Sequence, residues 1–264
     1  MLVPAFNAMT MKNSSTRLAL VLFLAANAGL ARADGLSDLR GALVRLQGQA
    51  PLKASVQARD WRRTGEGQDA KETQGQAGIG LEDGPRGLQP LYSHELLARV
   101  DAESRAVIQD KSAPKPLSQA LSQLDFDALR GLAEAAPALQ REIDDAQFKG
   151  ESPDTWAGKP ARKLVFEGSL DRLSEDNRKY VRDFKLQLSV WIAADGTPLA
   201  SRRRLDLSGR AFVVVGFEHH SDRQRGYAVA GDRLVATSDE DKGSSRGAGE
   251  TQEYRTERRL QVLP

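Results

Sequence analysis

The chain has no cysteine among its 264 residues. That excludes disulfide staples, thiolate metal sites and thiol nucleophiles. It also excludes the cysteine-linked lipid anchor of a bacterial lipoprotein. Histidine is nearly as scarce, with three residues, and aromatic residues make up 6%. A core must therefore be built from Leu, Val and Ala. Charge of one sign is missing too, since 38 basic residues stand against 36 acidic ones. Binding a phosphate backbone needs a basic excess or stripe, so nucleic acid is not an expected partner. Long apolar runs are confined to one place, residues 18–30, too short to span a membrane.

That run has the layout of an export signal. Lys12 and Arg17 precede it, and Ala31-Arg32-Ala33 follows with the small-x-small pattern of a cleavage site. Met11 is the natural start of such a signal. The expected boundaries are a signal peptide over 1–33 and one domain over 34–264. Removing the signal removes Lys12, Arg17 and Arg32 and no acid, so the mature chain is close to neutral. The expected location is periplasmic: exported, soluble, neither membrane-spanning nor lipid-anchored.

Beyond the signal, the clearest pattern runs from Phe184 to Leu207. Phe184, Leu186, Leu188, Val190 and Ile192 alternate with polar residues and Trp191, the period of a half-buried strand. Ala194-Asp195-Gly196 supplies a tight turn, and the return strand carries Leu199, Leu205 and Leu207 on one parity with Arg202 and Arg204 on the other. Earlier in the chain, Leu36, Leu39, Leu43 and Leu46 recur at helical spacing. Leu52, Ala54, Val56 and Ala58 then alternate as a strand, and so do Gly75, Ala77, Ile79 and Leu81. The glycines of that second strand predict bending or the close approach of another backbone. A third short strand is expected from Gly87 to Tyr92.

Helices take over from Ser93, a plausible N-cap, to Ala146, interrupted at Ala113-Pro114-Lys115-Pro116. Strands return at Phe148, with a strong one from Ala161 to Leu170, and Ala211–Phe217 reads as a central strand. Ser238–Glu250 reads as a mobile polar loop before a last strand in which Tyr254, Leu260 and Val262 face in. The expected fold class is α+β: a curved antiparallel sheet, or half-barrel, covered by an N-terminal helix and an inserted helical block.

Catalytic motifs fail one by one. His94-Glu95 lacks the second histidine of a zinc helix, because Ala98 stands in its place. His219 and His220 point to opposite faces of a strand. Ser112-Ala113-Pro114-Lys115 matches S-x-x-K but sits in a proline-broken loop without a K-T-G partner. Gly78-Ile79-Gly80 lacks the third glycine of a dinucleotide loop, and Asp239, Asp241 and Gly243 miss the calcium-loop spacing. No metal, cofactor or enzymatic activity is expected.

The order of elements resembles the periplasmic lipoprotein-carrier superfamily, the LolA/LolB-like fold. Gly158-Lys159-Pro160-Ala161-Arg162-Lys163-Leu164 is similar to the family's turn into a mid-sheet strand. Val190-Trp191-Ile192-Ala193-Ala194-Asp195-Gly196-Thr197-Pro198-Leu199 is similar to its strand, turn and return. The resemblance implies a single half-barrel domain over 34–264 whose concave apolar face holds acyl chains under a helical lid. The expected function is non-catalytic binding or carriage of a lipid or lipoprotein acyl chain. The alternative is a cell-envelope sensor or interaction protein with a polypeptide partner. Lining candidates are Val56, Ile79, Leu81, Leu164, Phe166, Leu186, Leu188 and Val190, and lid candidates are Leu96, Leu97, Val100, Leu139 and Ile143. The other outcome is a face filled by the helices, with no cavity left.

The cleavage pattern makes a direct prediction. N-terminal sequencing of the mature protein from the periplasmic fraction should begin at Asp34; an intact Met1 or Met11 on cytoplasmic protein would remove the export reading.

Overall fold

Two periodicities divide the chain, and each becomes its own kind of element. The computed structural model describes residues 34–172, 174–211 and 215–264. The expected signal segment, 1–33, lies outside them. Alternating segments form the strands β1 (Leu52–Thr64), β2 (Lys71–Gly84), β3 (Gly87–Leu91), β4 (Ala146–Trp156) and β5 (Lys159–Gly168). They continue as β6 (Val181–Ile192), β7 (Pro198–Ala211), β8 (Val215–Ala230), β9 (Arg233–Gly247) and β10 (Glu250–Val262). Segments with helical spacing form α1 (Gly35–Arg45), α2 (His94–Gln109), α3 (Pro116–Leu121), α4 (Phe126–Ala133) and α5 (Ala135–Asp144), and Glu175–Arg178 adds a single turn, α6.

All ten strands share one open antiparallel sheet in the order β3-β2-β1-β10-β9-β8-β7-β6-β5-β4. Consecutive strands pair with one another, β3 and β4 excepted, and β1 also pairs with β10. β3 and β4 are consecutive in sequence yet occupy opposite edges. The segment between them, α2 to α5, therefore has to cross a face of the sheet. It crosses on the apolar side. Ala54, Val56, Ile79, Leu81, Leu164, Val190 and Leu260 from the strands join Leu39, Leu43, Leu117, Leu129, Leu132, Leu139 and Ile143 from the helices in one buried core. A smaller apolar cluster lies on the opposite face, where Trp156 and Trp191 stack at 5.1 Å over Ala161 and Ala200. It explains why Trp191 is buried although its parity faces away from the helices.

Local chemistry sets the helix ends. Asp34, Ser93 and Asp125 each accept a backbone N–H in the first turn of α1, α2 and α4, at 3.2, 3.1 and 2.8 Å. Glu103 of α2 accepts the N–H groups of Leu117 and Ser118 at 2.8 and 2.9 Å, capping α3 from outside. The turn at Asp195-Gly196 forms as expected, with Gly196 at φ +85. There a side chain would also strike the carbonyl of Asp38 in α1.

Four expectations are corrected. Residues 238–250 are not a loop: β9 runs to Gly247 and pairs on both sides, and its buried Asp239 finds arginine partners. Ala211–Phe217 is not one strand, because Ala211 pairs with Val215 across neighbouring strands; 212–214 lie outside the described residues. The strand expected from Ala161 to Leu170 ends at Gly168, and Leu170 enters a short 3-10 turn, Leu170–Arg172. Leu199 shifts as well, because a register break at Trp191/Ile192 takes it out of the alternation of Leu205 and Leu207.

The glycines of β2 divide as a close-approach argument requires. A Cβ on Gly75 would fall 1.8 Å from the Pro116 carbonyl oxygen of α3, whereas one on Gly78 would meet its nearest neighbours at 3.7 Å. Gly75→Ala should thus cost about 1–3 kcal/mol or more by overpacking, and Gly78→Ala should be much milder. Urea melts of the two variants measure this, and equal midpoints would contradict the packing of α3 on β2.

Candidate functional site

The inward positions of the sheet fall into rows that run across the strands, and the rows change character along the strand direction. Nearest the helices they are apolar. Of the lining candidates, Val56, Ile79, Leu81, Leu164, Phe166, Leu188 and Val190 are at most 6% exposed and all belong to the core beneath the helices. Leu186 is half-buried and stands outside that core. Of the lid candidates, Leu139 and Ile143 are fully buried, Leu96 is buried and Val100 packs against the core. Leu97 is 49% exposed, one residue round the helix from Leu96, and takes no part in the cover.

At the margin of the helices the rows become ionic. The register aligns Ser201, Arg225, Asp239 and Arg258 with Ala58, and Arg203, Arg223, Asp241 and Thr256 with Asp60. Asp239 is the centre of this band. Arg223 donates to both its oxygens at 2.7 and 2.6 Å, Arg258 adds a bond at 3.2 Å, and Arg225 lies 3.6 Å away. Burial pushes the Asp239 carboxyl up, but the Arg223 bonds and the three guanidinium charges prevail and hold it below the usual carboxylate range. Neighbouring Asp241 goes the other way: burial raises it, and the negative charge of Asp239 helps, against Arg223 and Arg258. Burial, followed by the charge of Asp241, pushes the Tyr254 hydroxyl up to about 12.

The same band fastens the helices to the sheet. Arg225 reaches Glu142 of α5 at 2.6 Å, and Arg258 donates to the Gln123 carbonyl between α3 and α4 at 2.6 Å. Gln119 of α3 donates to the buried Asp60 at 2.5 Å, which also accepts from Thr256 at 2.8 Å. At the other margin, Arg162 of β5 bonds Asp38 of α1 at 2.6 Å.

On the outward face the expected basic strand is neutralised. Arg202 donates to Asp222 at 2.8 and 2.5 Å, Arg204 lies 3.6 Å from the same carboxylate, and Arg203 points inward. His219 and His220 occupy opposite faces, as their adjacency in a strand predicts. His220 bonds Asp206. Among the described residues no three His, Cys, Asp or Glu side chains are grouped to hold a metal ion. No described helix is long and apolar enough to cross a membrane.

Sequence reasoning missed the ionic band. Its signal was present as two alternations, Arg223/Arg225 and Asp239/Asp241, in strands whose pairing places them opposite one another. No protein-family model, curated protein or solved structure matches this chain.

The two aspartates make opposite predictions. Asp239→Asn leaves buried arginines without their anion and should cost about 3–5 kcal/mol. The depressed pKa means that this support is present above about pH 4 and is lost as pH falls through the folded value. Asp241 has a raised folded pKa, so its contribution is present at low pH and lost as pH rises. Asp241→Asn should therefore raise the melting temperature at pH 7, and the gain should fade below about pH 4. Thermal melts of both variants between pH 3 and 8 check the two signs.

Proposed function

We propose that the protein is a non-catalytic carrier or binding protein for a lipid or lipoprotein acyl chain. In this reading it is LolA/LolB-like, exported to the periplasm, with its sheet curved as a half-barrel around the chain. The observation that carries the reading is the make-up of the cover. One broad apolar sheet face is covered by helices alone, and these are fastened at the margin by a few directional bonds, Arg225–Glu142, Arg258–Gln123 and Asp60–Gln119. Breaking those bonds lets the helical block move as a unit. An acyl chain replaces the lost apolar contacts, each buried methylene contributing about 0.8 kcal/mol. Leu139 and Ile143 are then the cover's inner surface, and Val56, Leu164, Phe166, Leu188 and Val190 the floor.

The second reading, a polypeptide partner added at a sheet edge, has less in its favour. β3 offers five residues, and β4 carries Pro153 with exposed Glu151 and Asp154 along its free edge, features that discourage strand addition.

Uptake of the neutral fluorophore N-phenyl-1-naphthylamine tests the carrier reading. The wild type should bind it saturably and slowly. Glu142→Gln, which weakens the bond between α5 and β8, should speed uptake several-fold at similar capacity. If neither protein binds the probe saturably, the face is a closed core and the carrier reading fails.

A further inference from the structure

Among the described residues, the ionic band leaves one cation over, Arg203. The inward positions of β6, β7 and β8, among the described residues, carry Arg203, His219, Arg223 and Arg225 but not a single carboxylate. The acids that answer them come from β9 and α5, and they serve Arg223 and Arg225. Arg203 makes no ion pair or side-chain hydrogen bond among the described residues, and its cross-strand neighbours are Leu188 on one side and Arg223 on the other. A half-buried guanidinium facing another guanidinium and an apolar side chain is an unfavourable arrangement unless an anion joins it.

From Arg203 an apolar strip leads away from the helices. Leu205 pairs with Leu186, and Leu207 pairs with Phe184. All four are half-buried and none belongs to the helix-covered core. The strip begins at Leu188, which does belong to that core, so the two apolar surfaces are continuous. From Arg203 to Gly209 it extends roughly 20 Å at the rise of a strand, a length suited to one hydrocarbon chain.

Resting on the acyl-carrier reading, we infer that the ligand is a single-chain amphiphile with an anionic head. Its head group binds Arg203 at the margin of the core, and Leu186, Leu205, Phe184 and Leu207 extend the floor on which its chain lies beyond the helices, through Leu188. The head is a carboxylate or a phosphate monoester, both of which accept paired bonds from a guanidinium.

Titration of the full chain with palmitate, 1-palmitoyl lysophosphatidic acid and neutral 1-monopalmitoylglycerol, each below its micelle concentration, tests this. Wild type should bind at least one anionic lipid tenfold or more tighter than the neutral one. Arg203→Gln should lose that preference, and Arg203→Lys should keep part of it. The tighter of the two anionic lipids identifies the head group. Ligand-free Arg203→Gln should melt no lower than wild type, because the arginine has no partner to lose; a clear drop would overturn the proposal. Equal affinity for all three lipids in wild type, or a preference that survives Arg203→Gln, would overturn it and leave the carrier reading standing. Saturable binding of the neutral fluorophore without saturable binding of any of the three lipids would also overturn it alone. No saturable binding of either the lipids or the fluorophore would overturn both.

Discussion

Everything in this structure follows from the positions of β3 and β4. They are successive strands, yet the sheet holds them at opposite edges, because β1 pairs with β10 and the remaining strands run back in order from there. The connection cannot be a turn. It must cross the sheet, and crossing the apolar face lets α3, α4 and α5 bury their leucines against β1, β2, β5, β6 and β9 in one core. α1 fills the remaining part of that face and is tied to β4 and β5 by Gly35–Glu151 and Asp38–Arg162. Sheet order thus decides which face is covered.

The margin of that cover is where the fold departs from simple economy. A wholly apolar face would be easier to stabilise than one crossed by Arg223, Arg225, Arg258, Asp239, Asp241 and Asp60, since taking charges out of water costs several kcal/mol per ion before pairing returns any of it. Asp239 is the compensation, with three guanidiniums gathered on one carboxylate. Such an arrangement is sensitive to geometry, and in the proposed carrier it lies at the boundary between the sheet and the helical block that would move. The bonds from Arg225 and Arg258 to α5 and the α3–α4 connection lie in this band.

The legible parts were those that local rules control. Alternation placed Val56, Leu164, Leu188 and Val190 on the buried face, Ser93 capped its helix, and Gly75 did admit another backbone. The errors came where pairing overrode composition. The polar stretch from Ser238 lacks every local mark of a strand, but β8 and β10 on either side satisfy its backbone, and arginines on those strands satisfy Asp239. Leu97 shares helical spacing with Leu96 and still faces water, because only one side of α2 meets the rest of the molecule.

The sequence by itself determined the periods, and with them the strands, the helices and the turn at Asp195-Gly196, since these depend on residues within a few positions of each other. It also excludes disulfides and thiol chemistry, through its missing cysteine. Only the tertiary structure decided which charges meet. Arg203, Arg204 and Arg202 are adjacent in the chain and equal in composition, yet Arg202 and Arg204 share Asp222 while Arg203 faces inward without an anion among the described residues. That difference depends on strand pairing, which joins residues about twenty positions apart and leaves no local trace in the order of amino acids.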